Sequence, residues 1–190
     1  MYLASTDEAN KLLSESPLAL LIGMLLDQQI PMEKAFTSPE VLRERLGGAF
    51  DAQTIAEYDA DALEEIFRRP PALHRFPAAM AKRVQALAKI IVAEYDGEAA
   101  AVWTGARTGA ELVQRVGALP GFGEQKARIF TALLGKQYGV RPRGWREAAG
   151  EFGSDRAMRS VADVVDASSL QAVRSYKQQI KAAAKAASQG

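Results

Sequence analysis

Leu119-Pro120-Gly121-Phe122-Gly123-Glu124-Gln125-Lys126-Ala127 is the stretch on which the reading of this chain turns. An amphipathic segment leads into it, with Leu112, Val113 and Val116 apolar, and another leaves it, with Ile129, Phe130, Leu133 and Leu134 apolar. The spacing predicts helices over 109–117 and 124–138 joined by a tight hairpin at 119–123. Gly121 and Gly123 allow positive φ and put no side chain between the backbone and a ligand. Phe122, between them, can turn inward and pin the loop to a core. The next helix then starts abruptly, with unpaired backbone N–H groups at its positive end. Such a start suits a phosphate group, and Lys126 can add a charge-assisted contact. The plainer alternative is an interhelical turn with glycine caps and no ligand.

Outward from the hairpin the same helical periodicity persists. Ser5 and Thr6 are candidate caps for a helix through about Leu13, and Ser16-Pro17 starts a second. Leu18 to Leu26 is apolar nearly all round, so that helix should be central and buried. It ends in Asp27-Gln28-Gln29-Ile30-Pro31. Short helices are expected at 32–36, 39–46, 52–57 and 59–67, with Ser38-Pro39 as a start signal. A long helix is expected from Pro77 to Glu94, stopped by Asp96-Gly97. Residues 139–153 read as a loop with at most a short helix, and helices near 154–164 and 168–187 close the chain. No strand pattern appears, so the fold class is all-α.

Composition excludes several chemistries. The 190 residues contain no cysteine, which removes disulfides, thiolate zinc sites, iron–sulfur clusters and cysteine nucleophiles. The single histidine, His74, is read as a surface or capping residue, and no side-chain metal site is expected. No apolar run reaches membrane-spanning length and no signal peptide is apparent, so a cytoplasmic protein without membrane contact is expected. Net charge is only +1, but its distribution is uneven. Residues 1–66 carry 13 acidic and 4 basic side chains, a net of −9, and residues 67–190 a net of +10. A positive half can face phosphates, or the two halves can pair with each other. Between Lys126 and Arg146 lie Lys126, Arg128, Lys136, Arg141, Arg143 and Arg146, with no acid among them. Such a run can track a nucleic-acid backbone. Trp145 can stack on an exposed base or act as a buried anchor.

The hairpin resembles the helix-hairpin-helix of DNA repair proteins, whose pattern is hydrophobic, Pro, Gly, hydrophobic, Gly. The segment from Pro17 through Leu25-Leu26-Asp27-Gln28-Gln29 resembles the opening helix of the helix-hairpin-helix (HhH-GPD) base-excision glycosylases. Met80 to Gly97 resembles that family's helix before the hairpin. The resemblance implies two helical lobes with a DNA-facing cleft. One lobe would hold about 1–30 plus 140–190, and the other about 31–139. It implies double-stranded DNA as partner, a monomer, and a hairpin backbone able to take a monovalent cation. Gly121, Phe122, Gly123, Gln125, Lys126, Arg128, Arg141 and Arg143 would contact DNA. Gln28 and Gln29 would fill the gap left by an extruded base, unless they are a plain helix end.

Two departures bear on chemistry. Bifunctional members carry a lysine nucleophile where this chain has Gln125, and Lys126 lies about 100° further round the helix. Active members carry an aspartate some twenty residues past the hairpin. Here that region reads Arg141-Pro142-Arg143-Gly144-Trp145. Glu147, Glu151 and Asp155 are the nearest acids and the candidate replacements. A monofunctional DNA glycosylase is therefore expected. The alternatives are a glycosylase-like protein that binds distorted DNA without cutting it, and a protein-interaction domain using the acidic half.

Overall fold

A computed structural model describes residues 1–187, and these form eleven α-helices with no strand among the described residues. Helix α1 (Asp7–Glu15) starts at Thr6, whose hydroxyl accepts from the Ala9 amide at 3.2 Å. Helix α2 (Pro17–Leu26) starts at Ser16 in the same way, with Pro17 in its first turn. Leu18 through Leu26 are all buried, so α2 is the central helix its composition predicts.

Helix α3 (Met32–Arg45) is continuous, whereas a break at Ser38-Pro39 was expected. The Thr37 and Ser38 hydroxyls bond carbonyls one turn back, at Glu33 and Lys34. Phe36 and Leu42 are fully buried. Packing thus outweighs the local cost of an internal proline. A Cβ on Gly23 would come within 2.7 Å of Phe36, so α2 and α3 approach closely only because position 23 is glycine.

Helices α4 (Ala52–Glu57) and α5 (Ala60–Arg68) pack on the long α6 (Pro77–Tyr95). Asp96 and Gly97 are left-handed at its end, and the Gly97 amide reaches back to the Ile91 carbonyl at 3.0 Å. A short α7 (Ala101–Thr104), not anticipated from the sequence, precedes α8 (Gly109–Gly117) and α9 (Glu124–Gln137). Helix α10 (Trp145–Ala148) and a 3-10 turn at Gly150–Phe152 follow.

The expected helix over 154–164 is absent apart from a 3-10 turn at Val161–Asp163. Asp163 explains this locally. Its carboxylate accepts from the Arg159 and Ser160 amides and from Lys136 Nζ, at 2.9, 3.1 and 2.5 Å. Side-chain bonds to backbone amides compete there with helix formation. Helix α11 (Ala167–Ala187) returns to the start of the chain, where Arg174 pairs with Glu33 of α3.

One hydrophobic core runs continuously from Leu3 to Val173. Helix α3 packs chiefly on α1 and α2, and α9 packs on α8, α10 and the 161–163 turn. No single described helix is long and apolar enough to cross a membrane. Helices α1 and α2 reach that composition only jointly, across a 116° bend.

Candidate nucleic-acid interface

The hairpin between α8 and α9 closes through short backbone bonds. The Leu119 amide donates to Val116 and the Phe122 amide to Leu119, both at 3.1 Å. Phe122 is buried and meets Phe130 edge-on at 5.8 Å between ring centres, so the loop is pinned from inside. The two glycines act differently. Gly121 has φ of +81°, which favours glycine. Gly123 has φ of −96° and ψ of 176°, ordinary extended backbone, so the expected positive φ is absent there. What glycine supplies at 123 is space, because a Cβ there would meet nothing within 4 Å.

The opening at Gly123 leads to the start of α9. Side chains cap α1, α2, α4, α5 and α8, but none caps α9. Gly121, Gly123, Glu124, Gln125 and Arg128 are all exposed. The first amides of α9 therefore stand at an open surface with the helix's positive end behind them. Arg128 pairs with Glu124 at 2.5 Å across one turn of the same helix.

Lys126 does not join this surface. Its ammonium turns inward and donates to the Met24 and Leu25 carbonyls at 2.9 and 3.2 Å. These are orphan carbonyls in the last turn of α2, which a cation satisfies well. Burial pushes the lysine's pKa down, and nearby Asp27 opposes the shift. A Cβ on Gly121 would lie 3.1 Å from Leu25, so the hairpin rests directly on that turn of α2.

The turn after α2 is held in turn. Gln28 Nε2 donates to the Leu25 carbonyl at 2.7 Å, and Gln28 Oε1 accepts from Arg83 at 3.1 Å. His74, expected near the surface, is fully buried. Its Nδ1 accepts from the Phe76 amide at 3.1 Å, so Nε2 carries the proton and donates to the Gln28 carbonyl at 2.9 Å. Burial lowers its pKa and keeps the ring neutral. Gln29 is exposed and takes a left-handed φ of 56°, uncommon for a residue with a Cβ. Of the two glutamines, Gln28 is fastened and Gln29 protrudes.

Most of the basic run is engaged within the protein, although Arg128, Arg141, Arg143 and Arg146 stay exposed. Lys136 sits in a buried pair with Asp163, Arg141 donates to the Gly135 carbonyl at 2.8 Å, and Arg146 grips Asp155 through two bonds of 2.9 and 2.8 Å. Arg143 is exposed and makes no ion pair among the described residues. Trp145 is a buried anchor lying on Gly135, with Arg146 over its ring at 4.4 Å.

The three carboxylates expected to serve chemistry are all on the surface. Glu151 pairs with Arg159, Asp155 pairs with Arg146, and Glu147 is exposed on α10. Glu151 and Gln125 line one small cavity of about 260 Å³ beside the start of α9. Asp27, which sequence reasoning passed over as a helix end, is different. It caps α2, and burial raises its pKa against the pull of Lys177 and Lys126. The signal available in the sequence was a single acid placed directly between nine apolar residues and the glutamine pair. No group of three or more acidic, histidine or cysteine residues able to hold a metal ion occurs among the described residues.

Comparison with known proteins agrees with the geometry of the hairpin. The sequence model of the HhH-GPD superfamily base excision DNA repair proteins matches residues 22–189. Neither a curated protein nor a solved structure gives a match. With most of the chain covered, from the middle of α2 to the end of α11, the protein belongs to the HhH-GPD superfamily of base excision DNA repair proteins.

Proposed function

We propose that the protein is a monofunctional DNA glycosylase, acting as a monomer on double-stranded DNA and hydrolysing the N-glycosidic bond of a damaged or mismatched base. The observation that carries this reading is the seating of the hairpin on the last turn of α2. Gly121 rests on Leu25, and Lys126 bonds the Met24 and Leu25 carbonyls. Three residues after Lys126's second acceptor, Leu25, the chain reaches the Gln28-Gln29 turn, from which Gln29 protrudes. A duplex held by a phosphate at the α9 amides would thus have the glutamine turn beside the gripped nucleotide. That is the arrangement base extrusion needs, since the enzyme must hold the backbone while a side chain takes the vacated space.

Water is the nucleophile in this reading. Gln125 has no amine with which to form an imine, and the Lys126 ammonium is occupied by two carbonyls. Bond cleavage builds positive charge on the sugar, which a carboxylate must offset. The test is incubation with duplexes that each carry one altered base, including uracil, hypoxanthine, an alkylated purine and an oxidised purine. Release of one of these bases leaves an alkali-sensitive abasic site and no borohydride-trapped adduct. Binding of these duplexes with no abasic site from any of them would favour the second reading, a protein that recognises distorted DNA without cutting it. The surface ion pairs of Glu151 and Asp155 are the observation on that side.

A further inference from the structure

We propose that Asp27 is the carboxylate that opposes the cationic sugar, supplied from the end of α2 and not from the segment after the hairpin. The proposal rests on the glycosylase reading above and names the residue that reading lacks.

Position is the first argument. Asp27 is the cap residue of α2 and immediately precedes Gln28. The hairpin sits on the turn just before it, through Gly121 against Leu25 and Lys126 against Met24 and Leu25. Consecutive Cα atoms are about 3.8 Å apart. Whatever nucleotide the glutamine turn probes, Asp27 is therefore within a residue or two of it. Glu151 and Asp155 are engaged at the surface with Arg159 and Arg146.

Environment is the second. Asp27 is partly buried at the end of α2, where the charges of Glu33 on α3, Lys126 on α9 and Lys177 on α11 act on it. Glu33 is itself paired to Arg174. Among the described residues, the Asp27 carboxylate accepts no hydrogen bond and forms no ion pair, while both lysines are near enough to act on its charge. A partly buried carboxylate that no protein group engages is free to meet a ligand. Sites that keep such groups commonly use them. Lys126 and Lys177 favour the ionised form, the form the chemistry requires.

In the reaction, the C1′–N bond breaks and the base leaves with the bonding pair, then takes a proton from solvent. The Asp27 carboxylate opposes the positive charge left on C1′ and O4′. It then accepts one proton from the attacking water as the water oxygen bonds to C1′, and returns that proton to solvent.

The test compares binding to two duplexes that contain no cleavable base. One carries a pyrrolidine, cationic at neutral pH, in place of the target deoxyribose, and the other a neutral tetrahydrofuran. The wild-type protein is expected to prefer the cationic duplex by about tenfold or more. Asp27→Asn should abolish the preference and leave tetrahydrofuran affinity unchanged, with Asp27→Glu restoring part of it. A thermal melt of each variant reports its folding. Retention of the preference in Asp27→Asn, or its absence in the wild type while the tetrahydrofuran duplex is still bound, overturns the assignment. Failure to bind either duplex more tightly than undamaged DNA overturns the glycosylase reading itself, and the role of Asp27 with it.

Discussion

His74 Nε2 donates to the Gln28 carbonyl at 2.9 Å from a site with no solvent exposure. The bond ties the loop before α6 to the turn after α2, and the Phe76 amide occupies the other ring nitrogen. Protonation would place a proton on Nδ1 facing that amide. Burial accordingly lowers the folded-state pKa below the ordinary value of 6.5. A depressed histidine pKa gives stability that is complete above the unfolded value and lost as pH falls through the folded one. The thermal midpoint should therefore decline as pH is lowered from about 6.5 towards the folded value. His74→Gln should flatten this part of the profile and leave the Gln29 turn more sensitive to proteolysis.

The hairpin glycines should separate folding from binding. Gly121→Val places a branched side chain at φ +81° and against Leu25. It should destabilise the fold by about 1–3 kcal/mol, read from denaturant unfolding. Gly123→Val has ordinary φ and open space, so its melting temperature should match the wild type. The new side chain would nevertheless stand before the first α9 amides. Affinity for a short duplex, measured by fluorescence anisotropy, should fall sharply in that variant.

The basic residues should divide by salt dependence. Lys126→Met removes two charge-assisted bonds to α2 carbonyls and should cost about 1.5–3 kcal/mol of stability, with the slope of log affinity against log salt unchanged. Arg143→Ala should leave stability alone and reduce that slope by about one. A smaller slope for Lys126→Met, with normal stability, would place its ammonium on the phosphate after all.

Glu124 opens α9, and it holds Arg128 at 2.5 Å. Both side chains are exposed, so the pair adds only about 0.3–0.5 kcal/mol to stability. Glu124→Gln should leave the melt nearly unaltered, remove a charge that repels phosphate, and free Arg128. Tighter duplex binding at low salt is the expected outcome, with the difference fading as salt rises.

Asp27 should set activity against stability. Its raised pKa means that the folded chain holds the proton more tightly than the unfolded chain. The linked stability is full at low pH and lost as pH climbs through the folded pKa. At neutral pH the ionised carboxylate is therefore a net cost, and Asp27→Asn should melt higher than the wild type. The gain should vanish at pH values below the ordinary carboxylate range.

How much was legible depended on the range of the interactions. The hairpin was readable from Leu119 to Gly123 because its determinants are local: a proline, two glycines and an apolar residue that must turn inward. Helix α2 was readable because an all-apolar helix has only one place to go. The direction of Lys126 was not, because it depends on carbonyls about a hundred residues away in the chain. The partners of Lys136, Arg141 and Arg146 were hidden for the same reason, since these acceptors are set by tertiary packing. Pro39 misled because its cost is local while the burial of Phe36 and Leu42 that outweighs it is tertiary. Asp27 looked like the end of a helix, which it is. Its partial burial, and the charges that α3, α9 and α11 bring near it, are visible only once the chain is folded.

The seating of the hairpin on α2 has a mechanical consequence. The element that would clasp the phosphate and the element that would enter the stack are bolted together by Lys126 and by the contact of Gly121 with Leu25. They cannot swing independently. The deformation that brings both into register must then come from the double helix, whose stiffness a lesion lowers. A damaged site would be found by how readily the duplex yields to a rigid jaw.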